Sequence, residues 1–84
     1  MENQKVWRIA EGLMGIVRLM VDAPDAVAVT PLPSASGVVY KVVVAKNDQG
    51  KLIGQGGRIA RSLRIMLLAM SRKAGIEMSL DIVS

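Results

Sequence analysis

Apolar residues mark out the elements of this chain before any other property is considered. Val6, Ile9, Ala10, Leu13, Ile16, Val17, Met20 and Val21 recur at spacings of three and four, with Lys5, Glu11 and Arg18 elsewhere on the cylinder, which predicts a helix over residues 3–22. Gly12 and Gly15 each cost such a helix about 1 kcal/mol relative to alanine, so they imply close packing against another backbone. Asp22-Ala23-Pro24-Asp25 ends the helix, because proline cannot continue the ladder and its predecessor is pushed out of the α region. Residues 26–30 read as a short strand. Pro31-Leu32-Pro33-Ser34-Ala35-Ser36-Gly37 then reads as a connection of turn formers, and residues 38–45 as a second, β-branched strand. The two strands are expected to pair as an antiparallel hairpin, with Tyr40, Val42 and Val44 facing the helices and Lys41 on the other face.

Asn47-Asp48 suits the cap of a short helix over residues 49–53. Ile59, Leu63, Met66, Leu67, Met70 and Ala74 form the stripe of a long amphipathic helix that ends at Gly75, with Arg72 and Lys73 in the last turn to complement its dipole. Arg58, Arg61 and Arg64 lie off that stripe. Ile65 and Leu68 continue the line of Arg58 and Arg61, so the outer face turns from basic to apolar, a patch expected to be covered by another element of the fold or else to pair copies. Residues 77–83 alternate Met78, Leu80 and Ile82 with Ser79 and Asp81, a strand with one buried and one wet face. The order is therefore α-β-β-α-α-β: one α+β domain spanning residues 1–84, a three-stranded mixed sheet with three helices on one face. If the second and third strands are neighbours, their crossover makes them parallel.

Composition narrows the chemistry. The chain has 84 residues and neither cysteine nor histidine, which removes disulfides, thiolate and imidazole metal sites, and the commonest general base. An enzyme is not expected, and neither is a cofactor or metal. The apolar run near residues 13–21 is interrupted by Arg18 and is short of the roughly 20 residues a bilayer needs. Glu2 and Glu11 fall where a secretory leader would carry its basic and apolar regions, so a soluble cytoplasmic protein is expected. Trp7, one of two aromatics with Tyr40, reads as a core or edge anchor.

The net charge of +4 is unevenly placed. Basic and acidic residues balance over residues 1–45, whereas Lys46, Lys51, Arg58, Arg61, Arg64, Arg72 and Lys73 face Asp48 alone over residues 46–73. A clustered basic face is the footprint of a phosphate-bearing partner.

That cluster surrounds Lys51-Leu52-Ile53-Gly54-Gln55-Gly56-Gly57-Arg58-Ile59-Ala60-Arg61, where three glycines in four positions stand between two helices. Glycine permits a tight turn and close approach of another molecule to the backbone amides. The first amides of the following helix lack intrahelical acceptors and sit at the positive end of its dipole, so an anion is the natural partner. A dinucleotide fingerprint would need glycine where Ile59 stands, and a Walker loop would need Gly-Lys-Ser/Thr where Gly57-Arg58-Ile59 stands. A plain helix-helix turn seldom uses three glycines.

Ile53-Gly54-Gln55-Gly56-Gly57 resembles the I-G-x-x-G core of the KH domain, and the element order resembles the type II arrangement of that fold. Val21-Asp22-Ala23-Pro24-Asp25-Ala26-Val27-Ala28-Val29, Gly50-Lys51-Leu52-Ile53-Gly54 and Gly57-Arg58-Ile59-Ala60-Arg61-Ser62-Leu63-Arg64 are similar to the small bacterial single-KH proteins of the KhpA type, over essentially the whole chain. The resemblance implies that Gly54, Gln55, Gly56 and Gly57 clamp the backbone of single-stranded RNA while bases lie in an adjoining apolar groove bordered by Ile53 and part of the next helix. Charge and helix spacing add Lys51, Arg58 and Arg61 as flanking phosphate contacts. Members of the family commonly carry a basic residue inside the loop. Gln55 and Gly56 stand there instead, so by the resemblance one phosphate contact is expected to be lost, weakening binding and flattening the salt slope by about 0.7. The resemblance further implies a homodimer or a heterodimer with a larger KH-containing protein, and a role as an RNA chaperone or post-transcriptional regulator linked to cell-envelope growth and cell shape. The readings set against RNA binding are a protein-interaction module that pairs through Ile65, Leu68 and the first helix, and a membrane-surface helix over residues 3–22. The polar face of that helix has too few basic residues for the last of these, so no membrane partner is expected.

Overall fold

The computed structural model describes residues 2–84; the side chains of Glu2, Asn3 and Gln55 lie outside the described atoms. In chain order the elements are α1 (Glu2–Met20), a 3-10 turn (Pro24–Ala26), β1 (Ala28–Pro33), β2 (Gly37–Val43), α2 (Lys46–Ile53), a second 3-10 turn (Gln55–Gly57), α3 (Arg58–Ala74) and β3 (Glu77–Val83). The three strands lie in the order β1-β2-β3, with β1 antiparallel and β3 parallel to the central β2. This is the α-β-β-α-α-β mixed sheet that the hydrophobic pattern predicts.

Pairing Val29 with Val42, and Tyr40 and Val42 with Leu80 and Ile82, puts these side chains on one face of the sheet. They meet Ala10, Leu13 and Val17 of α1, Leu52 of α2, and Ala60, Leu63 and Leu67 of α3 in a single buried cluster. Each fully buried leucine contributes about 2 kcal/mol through the apolar surface it withdraws from water. The Tyr40 hydroxyl donates to the Val6 carbonyl at 3.1 Å, so the central strand is also tied to the first turns of α1. Burial around this phenol pushes its pKa above the ordinary tyrosine value. The opposite face carries Thr30, Lys41, Ser79 and Asp81, all exposed.

Three expectations need correction. The first strand does not stop at Thr30: it takes in Pro31 and Pro33, which pair in register with Tyr40 and Val38. Ser34 and Gly37 exchange backbone hydrogen bonds across the hairpin, at 2.9 and 3.4 Å. Ser34 therefore faces β2, and by the two-residue alternation Pro31 and Pro33 turn their donor-less nitrogens to the open side of an edge strand. Of the two places read for Trp7, core and edge, the core is excluded, as the residue is 54% exposed. Gly12 and Gly15 do not pack against a backbone either, because a Cβ at each would meet nothing within 4 Å.

An alanine at Gly15 therefore gains helix propensity without a clash. Gly15→Ala is expected to stabilise the fold by about 1 kcal/mol and to raise the thermal midpoint by roughly 4–8 °C, read from a circular-dichroism melt. A lower midpoint would mean that this face is packed.

Candidate nucleic-acid interface

The turn between α2 and α3 is built on a buried carboxylate. Asp48 is 1% exposed, and its two oxygens accept the backbone N–H groups of Asp22 and Ala23, each at 3.0 Å. The sequence pattern offers Asn47-Asp48 as a helix cap, but α2 begins at Lys46, after Ala45, with no side-chain cap. Asp48 instead fastens the first turn of α2 to the segment leaving α1, while Leu52, fully buried, fastens its last turn to the core. Among the described residues no buried side-chain polar atom lacks a partner.

α2 closes at Gly54, whose N–H donates to the Gly50 carbonyl at 2.7 Å. A Cβ on Gly54 would collide with that same carbonyl, so the helix can end here only on glycine. Gly56 (φ 74°, ψ 13°) and Gly57 (φ 70°, ψ 30°) are both left-handed, and the Gly57 N–H bonds back to the Gly54 carbonyl at 2.9 Å. α3 then starts at Arg58 with no side-chain cap and no acidic residue in its first turn. Its positive dipole end, which ordinarily attracts a carboxylate, therefore has none from its own first turn.

The basic residues around this turn have distinct positions. Arg58 is exposed at the first position of α3. Arg61 folds back, its Nη2 donating to the Gly56 carbonyl at 2.9 Å, so it braces the turn with one donor and keeps the rest of its guanidinium for other acceptors. Lys51 is exposed on α2, and its Nζ donates a hydrogen bond to the Asp22 carboxylate. That bond raises the lysine pKa above its ordinary value. The amide clamped by Asp48 belongs to Asp22 itself, so the buried carboxylate also positions the anion that holds Lys51. Ile53 ends α2 at 44% exposure.

Two hollows border the helices that the turn joins. One, of about 520 Å³, is lined by Met20, Asn47, Gly50, Lys51 and Ile59. The other, of about 260 Å³, runs between α3 and β3 and is lined by Arg64, Leu67, Leu68, Met78, Ser79 and Leu80. β3 is an edge strand, so this groove combines apolar walls with strand backbone that no neighbouring strand pairs. Arg64 and Leu68 lie one helical turn apart on α3, in line with Arg58 and Arg61. The expectation that Ile65 and Leu68 are covered within the fold does not hold, as they are 61% and 50% exposed. The arginine line was legible from helix spacing; the strand-side wall was not, because nothing local in Met78 or Leu80 says which helix lies beside them.

The chain matches the family described as KhpA/KhpB, KH domain, over residues 10–82, and it belongs to that family. A curated relative from Listeria monocytogenes, named RNA-binding protein KhpA, is 36% identical over 73 residues, covering 87% of this chain and 96% of the relative. Relatives of the same name from Treponema pallidum and Chlamydia trachomatis are 40% and 33% identical, covering 81% and 87% of this chain and 85% and 94% of their own lengths. No solved structure matches the chain.

Removing the Asp48 carboxylate leaves the Asp22 and Ala23 amides without their acceptor and α2 without its tie to α1. Asp48→Ala is expected to cost about 3 kcal/mol in urea unfolding, and Asp48→Asn, which keeps one acceptor oxygen, less than that. A loss below about 0.5 kcal/mol for the alanine variant would show that the tie is dispensable.

Proposed function

We propose that this KH-domain protein binds single-stranded RNA, with Gly54, Gln55, Gly56 and Gly57 gripping the sugar-phosphate backbone and the α3–β3 groove receiving bases. The observation that carries the reading is the left-handed Gly56-Gly57 pair at the head of α3, where the helix has neither a capping side chain nor an acidic residue. Such a turn lets a phosphate come close to backbone amides at the positive end of a helix dipole. KH modules use a G-x-x-G turn in this way, and the curated relatives bear the name RNA-binding protein.

In this reading Arg58 and the spare donors of Arg61 meet adjoining phosphates, and Arg64 guards the entrance of the base groove. Ile53 borders the path of the chain between α2 and the turn. Lys51 contributes only after leaving Asp22, so binding exchanges an internal ion pair for a phosphate contact. Nothing in the reading calls for catalysis, a metal or a cofactor. It places the protein in the cytoplasm, acting on RNA as a chaperone or regulator. No helix among the described residues is long and apolar enough to cross a membrane.

A second reading, a pairing module in which RNA binding is weak or absent, is favoured by the exposure of Ile65 and Leu68 on α3. The partner would be another copy or a larger KH-containing protein. Sizing the purified chain with and without RNA separates the two readings, because the first requires a complex with RNA and the second an assembly without it.

The variant Gln55→Asp with Gly56→Asp puts two carboxylates where a phosphate should lie. It is expected to abolish binding of a fluorescein-labelled single-stranded RNA in anisotropy titrations. Because Gly56 has φ 74°, the aspartate there adds strain of about 1 kcal/mol, and the thermal midpoint should fall by a few degrees rather than stay fixed. Asp22→Asn keeps the amide that Asp48 accepts but releases Lys51, and it should tighten binding about threefold. Undiminished binding by the double variant would refute the clamp.

A further inference from the structure

α1 and α3 rest side by side on the sheet and pack closely against it rather than against each other, which leaves a furrow between them. Two hollows, of about 210 and 280 Å³, share Lys5, Ile9 and Met70 and so form one continuous channel. Its floor is apolar: Ile9, Leu13 and Ile16 from α1 face Met66, Met70 and Ala74 from α3. Gly12 opens the α1 wall, and since a Cβ there would meet nothing, the glycine serves no packing within the chain itself. The charged side chains lining the channel are Lys5, Arg8 and Lys73, and no carboxylate of the described residues lines it; Glu11 shares the neighbouring hollow with Arg8.

We propose that this furrow docks an acidic amphipathic helix of a partner protein. Residues 5 to 16 of α1 run for about 16 Å at 1.5 Å per residue, enough for a guest helix of about three turns. Apolar side chains at i, i+3 or i+4 and i+7 of the guest would enter the channel, as helix-in-groove recognition requires. Met66 and Met70, long and unbranched, can adapt to such side chains. Carboxylates on the guest's flanks would meet the three cations of the rim, and a basic helix would be repelled.

Charge selects this occupant over two others. Among the described side chains a second copy of the chain offers no acidic helix face, since Glu11 is the one exposed carboxylate they show on α1, α2 and α3. RNA would lay its polar sugars and base edges on an apolar floor, with no aromatic ring to stack on: Trp7 lines a separate hollow with Gln4, Arg8 and Glu11. The channel also lies on the far half of α3, about 13 Å along the helix from the glycine turn.

The test uses the full chain, labelled with nitrogen-15, and a synthetic three-turn helical peptide with leucines at i, i+4 and i+7 and glutamates elsewhere. The expected result is a set of saturable shifts at Ile9, Gly12, Met66, Met70 and Lys73. Affinity should be about tenfold or more above that of the same peptide with lysines for glutamates. Lys5→Glu with Arg8→Glu and Lys73→Glu should reverse that preference. Gly12→Leu should weaken binding about tenfold while the melting curve shows the fold intact. Equal binding of both peptides would overturn the proposal. So would shifts confined to the glycine turn, displacement of the peptide by single-stranded RNA, or the same shifts arising from protein concentration alone, which would assign the furrow to a second copy.

Discussion

The buried carboxylate of Asp48 is the constraint on which the interface depends. A charge withdrawn from water is tolerated only when polar groups replace the water, and here two backbone amides do so. Because those amides belong to the segment leaving α1, the contact converts two elements distant in sequence into one rigid corner. α2 is only eight residues long and has no side-chain cap, so it has little helical stability of its own. Asp48 and Leu52, its two buried residues, hold it at either end, and the direction in which it delivers Gly54 follows from where they are anchored.

From that corner the turn itself is fixed by backbone sterics. Gly54 must approach the Gly50 carbonyl, and Gly56 and Gly57 must be left-handed, before α3 can start. Arg61 then braces the Gly56 carbonyl, so the turn is already shaped in the free chain, and the proposed clamp would lose little conformational freedom on binding. The charges are arranged differently from a simple basic patch. Lys51 is held by Asp22, Arg61 is partly spent on the turn, and Arg58 stands exposed at the head of the helix. With Gln55 and Gly56 bringing no charge to the loop, the proposed binding mode rests its attraction for phosphate mainly on the amides and dipole of α3 and on the Arg58 guanidinium.

The helices, the final strand and the Gly75 stop were legible because each rests on a local signal: periodicity, alternation, or a glycine just past a basic last turn, here left-handed at φ 72°. The glycine turn was legible for the same reason. Misreadings arose where a residue's meaning depends on a distant neighbour. Pro31 and Pro33 look like breakers until β1 is known to be an edge strand with their nitrogens outward. Asp48 looks like a cap because its partners are 25 and 26 residues away. Gly12 and Gly15 suggested packing, and Ile65 and Leu68 suggested cover, yet nothing in the chain covers any of the four, which no single-chain pattern distinguishes from burial against a partner.

The account stands most directly on where RNA touches the protein. Titrating the nitrogen-15-labelled chain with a single-stranded RNA octamer should move the amides of Gly54, Gln55, Gly56, Gly57 and Arg58 most. A second set of shifts should appear at Leu68, Met78 and Leu80, and a duplex of the same sequence should have little effect. Shifts that leave the glycine turn untouched, or a duplex that moves the same amides equally, would contradict it.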